Sequence, residues 1–302
     1  MFDLFPVNGY LEPMTTSVSS PAREAFAHCE ALAREHYENF PVASMALPRR
    51  IRPYVAAVYA FARTADDFAD EGERTPEERL ALLDGWEAML HKAYEGDATH
   101  PIFVAITATA EDTGIPKQLL LDLLRAFRMD VTVKGYRTFG DVLEYCRYSA
   151  NPVGRLVLHL FGESRAETTV LSDAICTGLQ LANFYQDYSV DLVRGRQYVP
   201  LDEMTRFGYT EVQFPGVVQD ARFRELMAFQ VERAREYLRG GSSLLGLVSG
   251  RLRLELSMTV RGGLAILDRV AAINYDVRHQ RPALHTGHKI QILAGAVLNR
   301  PL

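Results

Sequence analysis

Helix start signals recur along the whole chain, without strand signals beside them. Ser20 precedes Pro21 as a cap with proline in the first helical position, and Thr75–Glu78 has the pattern of a capping box. Similar starts occur at Pro116, Thr138–Asp141 and Ser164–Glu167. Apolar residues follow at helical spacing, and no run alternates apolar and polar residues between hairpin turns. The sequence therefore predicts an all-α fold of about eight to ten helices with short connections.

No shift in composition marks a domain boundary along the 302 residues. We expect residues 21–302 to form one all-α domain, since large single domains of this length are common. Residues 1–20 are rich in Ser, Thr and Pro, and we expect them to form a loose leader before the first helix.

Charge and cysteine content exclude several classes of protein. The chain has 33 Lys and Arg against 38 Asp and Glu, a formal net charge of −5, which argues against a nucleic-acid partner. Three widely spaced cysteines, Cys29, Cys146 and Cys176, provide neither a disulfide framework nor a zinc ribbon. The first 20 residues lack the pattern of a signal peptide, and residues 168–185 are too polar for a membrane span. We therefore expect a cytoplasmic protein.

Two D-x-x-x-D patterns carry the strongest chemical signal. Asp66 and Asp70 form one pair, and Asp187 and Asp191 form the other, near the end of the helix predicted to start at Ser164. Residues four apart lie on one face of a helix, so each pair directs two carboxylates to one point. A single pair of this kind is more often a solvated face. Two pairs on apolar helices, with Arg63, Asn183 and Arg196 nearby, instead favour a site.

Clustered carboxylates without His or Cys are hard oxygen ligands, which suit Mg²⁺ and suit zinc poorly. Mg²⁺ commonly bridges carboxylates to substrate phosphates, and arginine binds the same anion through its planar fork. Two such pairs facing each other would hold a diphosphate as it leaves, and the cation left behind would need an apolar, aromatic cavity. Aromatic residues near the pairs provide a lining or plain core: Phe40, Tyr59, Phe61, Phe68, Tyr145, Tyr148, Phe184 and Tyr188.

The segments around both pairs resemble the squalene/phytoene synthase family of head-to-head prenyl synthases. The likeness rests on Tyr59–Glu71 and on Gln180–Pro200, and it extends over about residues 22–295. It implies the all-α isoprenoid synthase fold, a helical bundle around a central cavity. It also implies two or three Mg²⁺ ions held by the two aspartate motifs, and long prenyl diphosphates as substrates.

Within the family, two segments look most like the bacterial branch that makes hydroxysqualene on the way to squalene and hopanoids. These are His36–Ser44 with Leu47–Arg50, and Tyr145–Gly154. Relatives that make phytoene or squalene more usually have a small apolar A-G-x-V-G run where this chain has Ser149-Ala150-Asn151-Pro152-Val153-Gly154. The departure places hydroxyl and amide groups where the family lines its hydrocarbon cavity.

The resemblance also assigns residues to roles. It implies that Asp66, Asp70, Asp187 and Asp191 bind metal and that Tyr145 lies near the reacting centre. Residues expected to contact the diphosphate or order its site are Asn39, Arg63, Gln180, Asn183, Arg196 and Arg281. Candidates for positioning a water molecule are Ser149, Asn151 and Tyr148. For Arg63, Asn183 and Arg196, the alternative is an ordinary salt bridge or interhelical hydrogen bond.

The implied reaction is ionisation of presqualene diphosphate, rearrangement of the cation and capture by water, which needs no NADPH. The alternatives are a sibling enzyme that makes presqualene diphosphate, squalene or phytoene from farnesyl or geranylgeranyl diphosphate, and a non-catalytic helical assembly factor. Such greasy substrates predict contact with neighbouring pathway enzymes and with the inner face of the bacterial cytoplasmic membrane. The basic run Pro48–Arg52 is one candidate for lipid contact, although a solvated helix start is the more usual explanation of such a run.

Overall fold

Helices make up nearly all the regular structure in the computed structural model, which describes residues 20–35, 48–209, 219–300 and 302. In those ranges no strand forms, and a single isolated β-bridge pairs Gly135 with Gln197. The all-α prediction is confirmed. None of the helices in these ranges has the length and apolar character needed to cross a membrane.

Fourteen α-helices follow one another within the described ranges. They are α1 (Ser20–Glu35), α2 (Arg52–Asp70), α3 (Pro76–Tyr94), α4 (Pro101–Thr113), α5 (Lys117–Thr132), α6 (Phe139–Ser149), α7 (Asn151–Leu160), α8 (Ala166–Gln186), α9 (Tyr188–Val193), α10 (Leu201–Arg206), α11 (Ala221–Gly241), α12 (Leu244–Leu247), α13 (Gly250–Ala272) and α14 (Thr286–Val297). The expected number was too low because α9, α10 and α12 have six residues or fewer, and because one residue alone separates α6 from α7 and α8 from α9.

Capping residues explain where the helices begin. Thr75 Oγ1 accepts a bond from the Glu78 backbone N–H at 3.3 Å, and the Glu78 carboxylate accepts one from the Thr75 N–H at 2.8 Å, so the predicted capping box of α3 is confirmed. Thr138 and Asp141 form the same box at α6. The predicted start of α8 at Ser164 is wrong by two residues, because Thr168 accepts the N–H of Arg165 instead and shifts the box.

The buried apolar side chains form two clusters, which we call the N-terminal core and the C-terminal core. Helices α1 to α5 supply most of the N-terminal core, and α6, α8, α11 and α13 supply most of the C-terminal core. Trp86, the only tryptophan, lies in the N-terminal core with its ring 6.0 Å from Phe61 and 5.7 Å from Phe68, both on α2. The first aspartate pair is therefore carried by one core and the second by the other.

Glycines bring α8 and α11 into backbone contact. A β-carbon at Gly178 would lie 2.9 Å from the backbone nitrogen of Leu238, and one at Gly241 would lie 2.7 Å from the carbonyl oxygen of Leu171. Both distances are too short for any side chain, so the two helices touch along their backbones. This contact fixes the helix that leads into the second aspartate pair.

Candidate active site

The first aspartate pair lies at the C-terminal end of α2, as predicted. Arg63, one turn earlier, contacts Asp66 at 3.3 Å and Asp67 at 2.5 Å. Asp70 pairs with Arg196 and lies 3.6 Å from Arg194. Arg79 of α3 closes the helix end by donating to the carbonyl oxygens of Ala69 at 2.7 Å and Gly72 at 2.8 Å. The pair therefore stands on a capped helix end with arginines on both sides.

The second pair departs from the prediction, which placed both aspartates on one helix. Helix α8 ends at Gln186, Asp187 has φ −97° and ψ 11°, and Asp191 belongs to the separate helix α9. The hydrogen bond from the Asp191 N–H to the Asp187 carbonyl, 2.9 Å, nevertheless spans the break. Contacts from the C-terminal segment hold the junction, since Arg281 Nε donates to Asp187 at 2.6 Å and Gln186 donates to the Pro282 carbonyl at 2.7 Å.

Arg196 connects the two pairs electrostatically. Its side chain is only 14% exposed and pairs with Asp70, and its charge also acts on Asp66 and Asp191. Burial raises the pKa of Asp191 to about 6, with a further rise from the neighbouring charge of Asp187. Burial, and then the charge of Asp70, also raises the pKa of Asp66. These carboxylates are thus held close together at an electrostatic cost that a bound cation would relieve.

Asp130 is a site residue that the sequence analysis missed. It accepts a hydrogen bond from the Tyr145 hydroxyl at 2.8 Å, and burial raises its pKa to about 7. The charges of Arg196, Asp70 and Asp66 all act on it, which places it beside the first pair. The sequence did contain one signal. Asp130 lies in the last turn of its helix, where an acidic residue is unfavourable because it opposes the helix dipole.

An aromatic cluster surrounds Tyr145. The rings of Phe184 and Tyr198 stack at 3.8 Å, and Tyr145 lies 5.9 Å from Phe184 and 5.6 Å from Tyr136. Tyr145 and Phe184 were predicted to line the cavity, whereas Tyr136 and Tyr198 were not. Phe61, also proposed as lining, is instead fully buried in the N-terminal core. The buried carboxyl of Asp130 therefore meets apolar, electron-rich surface next to the aspartate pairs.

A cleft of about 320 Å³ opens beside Asp70 and Asp130. Its basic lining residues are Arg74, Arg79, Lys134, Arg194 and Arg196. The sequence analysis singled out Arg196 among these and did not identify Arg74 or Lys134. Arg74 follows the first motif by only four residues, whereas Lys134 lies far from both motifs in the chain. Basic groups around acidic ones suit an anion that arrives together with divalent cations.

The remaining diphosphate candidates fall into two groups. Arg63 and Arg281 lie directly on the aspartate pairs, as described above. Gln180 is half-buried and Asn183 exposed on α8, with Asn183 one turn before Asp187. Asn39, like the aromatic candidate Phe40, lies outside the described residues.

The three water-positioning candidates have different surroundings. The Ser149 hydroxyl oxygen is buried and, among the described residues, has no hydrogen-bond partner. Asn151 is buried and its side-chain oxygen accepts a bond from Thr177 at 3.1 Å, which joins α7 to α8. The ring of Tyr148 lies 4.0 Å from the guanidinium of Arg125. Among the described residues, Ser149 is thus the one of the three candidates with a buried polar atom that has no hydrogen-bond partner.

Across the described ranges, no three Asp, Glu, His or Cys side chains converge closely enough to hold a metal ion by themselves. The donor set nevertheless fits Mg²⁺, because it consists of carboxylate oxygens in two pairs, and burial raises the pKa of one member of each pair, Asp66 and Asp191. Asp66, Asp70, Asp187 and Asp191 are the residues that would hold Mg²⁺, with phosphate oxygens and waters as further ligands.

An all-α fold in which a half-buried arginine joins two aspartate pairs fits a helical enzyme that acts on a phosphate-bearing substrate. Residues 33–288 match the squalene/phytoene synthase family, and the chain belongs to that family. It is an enzyme of the squalene/phytoene synthase type.

Known relatives agree with this membership. The chain is 38% identical over 231 residues to the hydroxysqualene synthase of Sinorhizobium fredii, covering 76% of this chain and 77% of that protein. It is 30% identical over 288 residues to the 15-cis-phytoene synthase of Synechococcus elongatus, covering 91% and 93%. The crystal structure of squalene synthase HpnC from Alicyclobacillus acidocaldarius superimposes with a TM-score of 0.81 at 41% identity, covering 86% of this chain and 97% of that one.

Proposed function

We propose that this enzyme converts presqualene diphosphate and water into hydroxysqualene and diphosphate, with Mg²⁺ as cofactor and without NADPH. The observation that carries the proposal is the half-buried arginine Arg196, which connects two aspartate pairs beside an aromatic cluster. The similarity to hydroxysqualene synthases supports the choice of substrate and product.

Breaking the carbon–oxygen bond to diphosphate sends the electron pair out with the leaving group. Arg63, Arg196 and Arg281 border the aspartate pairs and would bind the departing anion through their planar forks. Mg²⁺, when bound by the four aspartates, supplies further neutralisation of that charge. The rings of Tyr145, Phe184 and Tyr198 would face the carbocation and keep bulk water away from it.

Capture by one water molecule forms a carbon–oxygen bond and releases a proton. Ser149, with its unused hydroxyl, is the group that we assign to orient this water. The proton would pass to the Tyr145 oxygen while Tyr145 gives its own proton to Asp130, whose pKa near 7 suits an acceptor. Asn151 then has a structural role, since its side-chain oxygen already accepts from Thr177.

The test supplies the purified chain with presqualene diphosphate and Mg²⁺ in ¹⁸O-labelled water and identifies the products by mass spectrometry. We expect hydroxysqualene that carries one labelled oxygen, formed at the same rate with and without NADPH. Chelation of the metal should stop the reaction, and added Mg²⁺ should restore it. Consumption of farnesyl diphosphate with no turnover of presqualene diphosphate would contradict the assignment.

The similarity to phytoene synthases over 91% of the chain favours a second candidate, condensation of two geranylgeranyl diphosphates to phytoene. The same assay, run with geranylgeranyl diphosphate in place of presqualene diphosphate, decides between them, because phytoene contains no oxygen from water. If the chain turns over no prenyl diphosphate, the non-catalytic alternative is the better explanation.

A further inference from the structure

Helix α14 is apolar on two opposite faces. Its inner face packs on α13 through half-buried Ile292 and buried Gly295 and Ala296. On the other side Ile290, Leu293 and Val297, spaced three and four residues apart, form a stripe with exposures of 60, 49 and 63%. A surface helix normally has one apolar stripe, which faces the core, so a second, exposed stripe on the outer side indicates an interaction surface.

The apolar exposure is concentrated in this region. Nine large apolar side chains are exposed among the described residues, and five of them lie between residues 290 and 302. The other four are single valines: Val153, Val170, Val190 and Val193. Scattered exposed valines need no explanation, whereas a cluster of isoleucine, leucine and valine marks an interaction surface. We call the stripe formed by Ile290, Leu293 and Val297 the C-terminal apolar face.

Polar contacts hold this face in place. Arg253 of α13 donates to the Asn299 side chain at 2.8 Å, and Arg261 donates to the Arg300 carbonyl. Both bonds fasten the chain just beyond α14 to α13. The stripe is therefore presented on a fixed helix and cannot turn inward without breaking them.

The charge of the surrounding segment indicates the chemistry of the partner. Residues 277–302 contain four of the 33 basic residues of the chain and none of its 38 acidic residues. Lys289 is exposed next to the stripe, and Arg300 follows the helix end. A second copy of this chain would bring the same positive charges together, which opposes a symmetric dimer. An anionic lipid surface satisfies both the apolar stripe and the basic flanks.

The basic run at Arg49–Arg52 fits this requirement less well. Arg49 and Arg50 are exposed, but Ile51 between them and α2 is only 3% exposed. This run therefore offers charge without an apolar face.

We propose that the C-terminal apolar face docks on a bilayer that contains anionic phospholipid, with Ile290, Leu293 and Val297 inserted among the acyl chains. The helix that carries the face also begins near the candidate active site. Pro282 and Arg281 contact residues Gln186 and Asp187, and α14 begins four residues later, within about 14 Å along an extended chain. Docking there would bring the site to the surface where greasy prenyl molecules reside.

The proposal is tested by vesicle flotation of the full chain, in buffer without substrate. We expect the protein to float with vesicles of phosphatidylcholine and phosphatidylglycerol but not with phosphatidylcholine alone. The triple variant Ile290→Ser/Leu293→Ser/Val297→Ser should lose at least tenfold in vesicle partitioning. Lys289→Gln should lose about fivefold, since one basic residue near an anionic surface contributes about 1 kcal/mol. Val170→Ser, which removes an equally exposed side chain on α8, is the matched control and should float like the unmodified chain.

A second measurement does not depend on loss of binding. Leu293→Cys labelled with an environment-sensitive dye should shift its emission to the blue when anionic vesicles are added, while the same dye at Val170→Cys should not shift. Equal flotation of the triple variant and the unmodified chain, or an unshifted dye at residue 293, would overturn the proposal. A second copy would instead cover the face if the unmodified chain did not float, sedimented as a dimer, and became a monomer in the triple variant. That result would also overturn the proposal.

Discussion

Asp66 and Asp70 stand on one continuous helix, whereas Asp187 and Asp191 stand on either side of a helix break. Both pairs nevertheless converge, because the bond from the Asp191 N–H to the Asp187 carbonyl keeps the helical spacing across the break. The arginine partners differ as well, since Arg196 is 14% exposed and Arg281 is 56% exposed. The spacing of four residues is therefore enough to bring the two carboxylates of a pair together. The strength of the ion pair that each forms with arginine depends instead on residues far away in the chain.

The two regions are also held in place differently. Arg79 fastens the end of α2 by binding its last carbonyl oxygens. Helix α8 is instead fixed by backbone contact with α11 at Gly178 and Gly241. The first pair is thus positioned by a polar cap and the second by close packing.

The largest effect is expected from removing one carboxylate of either pair. Asp70→Asn and Asp187→Asn should each lower kcat by about 1,000-fold, because charge neutralisation at the leaving group contributes several kcal/mol. Turnover of presqualene diphosphate, measured by product formation, checks this. Equal losses would show that the helix break has no catalytic cost. A loss at one pair alone would mean that the two pairs do not act on the same diphosphate.

The two arginine partners, Arg196 and Arg281, test whether burial strengthens their ion pairs. Arg196→Gln should lower kcat about 100-fold and Arg281→Gln about tenfold. The reason is that the charge-assisted bond of Arg196, which is 14% exposed, is stronger than that of Arg281, which is 56% exposed. Steady-state kinetics on both variants give the ratio. Arg239→Gln, which removes an exposed arginine paired with Glu232 on α11, should leave kcat unchanged and is the control. Equal effects of the two site variants would contradict the role of burial.

Glycine substitutions test how the second region is fixed. Gly178→Ala should lower the free energy of unfolding by about 1–3 kcal/mol, because the new β-carbon would press on the Leu238 backbone. Gly262→Ala on α13, where a β-carbon meets nothing within 4 Å, should raise it by up to about 1 kcal/mol. Urea denaturation measures both. If Gly178→Ala is as stable as the unmodified chain, the contact between α8 and α11 is looser than described.

The smallest effect concerns pH and Asp130. A carboxyl with a folded pKa near 7 binds its proton more tightly in the folded than in the unfolded chain, so its contribution to stability falls as pH rises from about 4, its ordinary pKa, to about 7. Asp130→Asn should remove this slope and gain about 1–2 kcal/mol relative to the unmodified chain at pH 8. Thermal unfolding of both proteins without metal, across that range, measures the difference. Parallel curves would be the contrary result.

Local signals account for what the sequence predicted correctly. Caps, proline at N1 and helical spacing lie within a few residues of one another, and so do the members of each aspartate pair. The break at Asp187 has no glycine or proline to announce it, and its contacts come from Arg281 and Pro282, far along the chain. Asp130 and Lys134 reach the site through packing of a separate helix, α5, against α2. For the same reason the sequence did not reveal that Asn151 binds Thr177.

The position of Trp86 gives the molecule an internal optical reporter. As the single tryptophan, it is 4% exposed and contacts Phe61 and Phe68, which flank Asp66 and Asp67 along α2. Its fluorescence will therefore follow the helix of the first aspartate pair and not α8. Emission that changes before the overall loss of helical circular dichroism would reveal that the N-terminal core opens first, without any label attached to the protein.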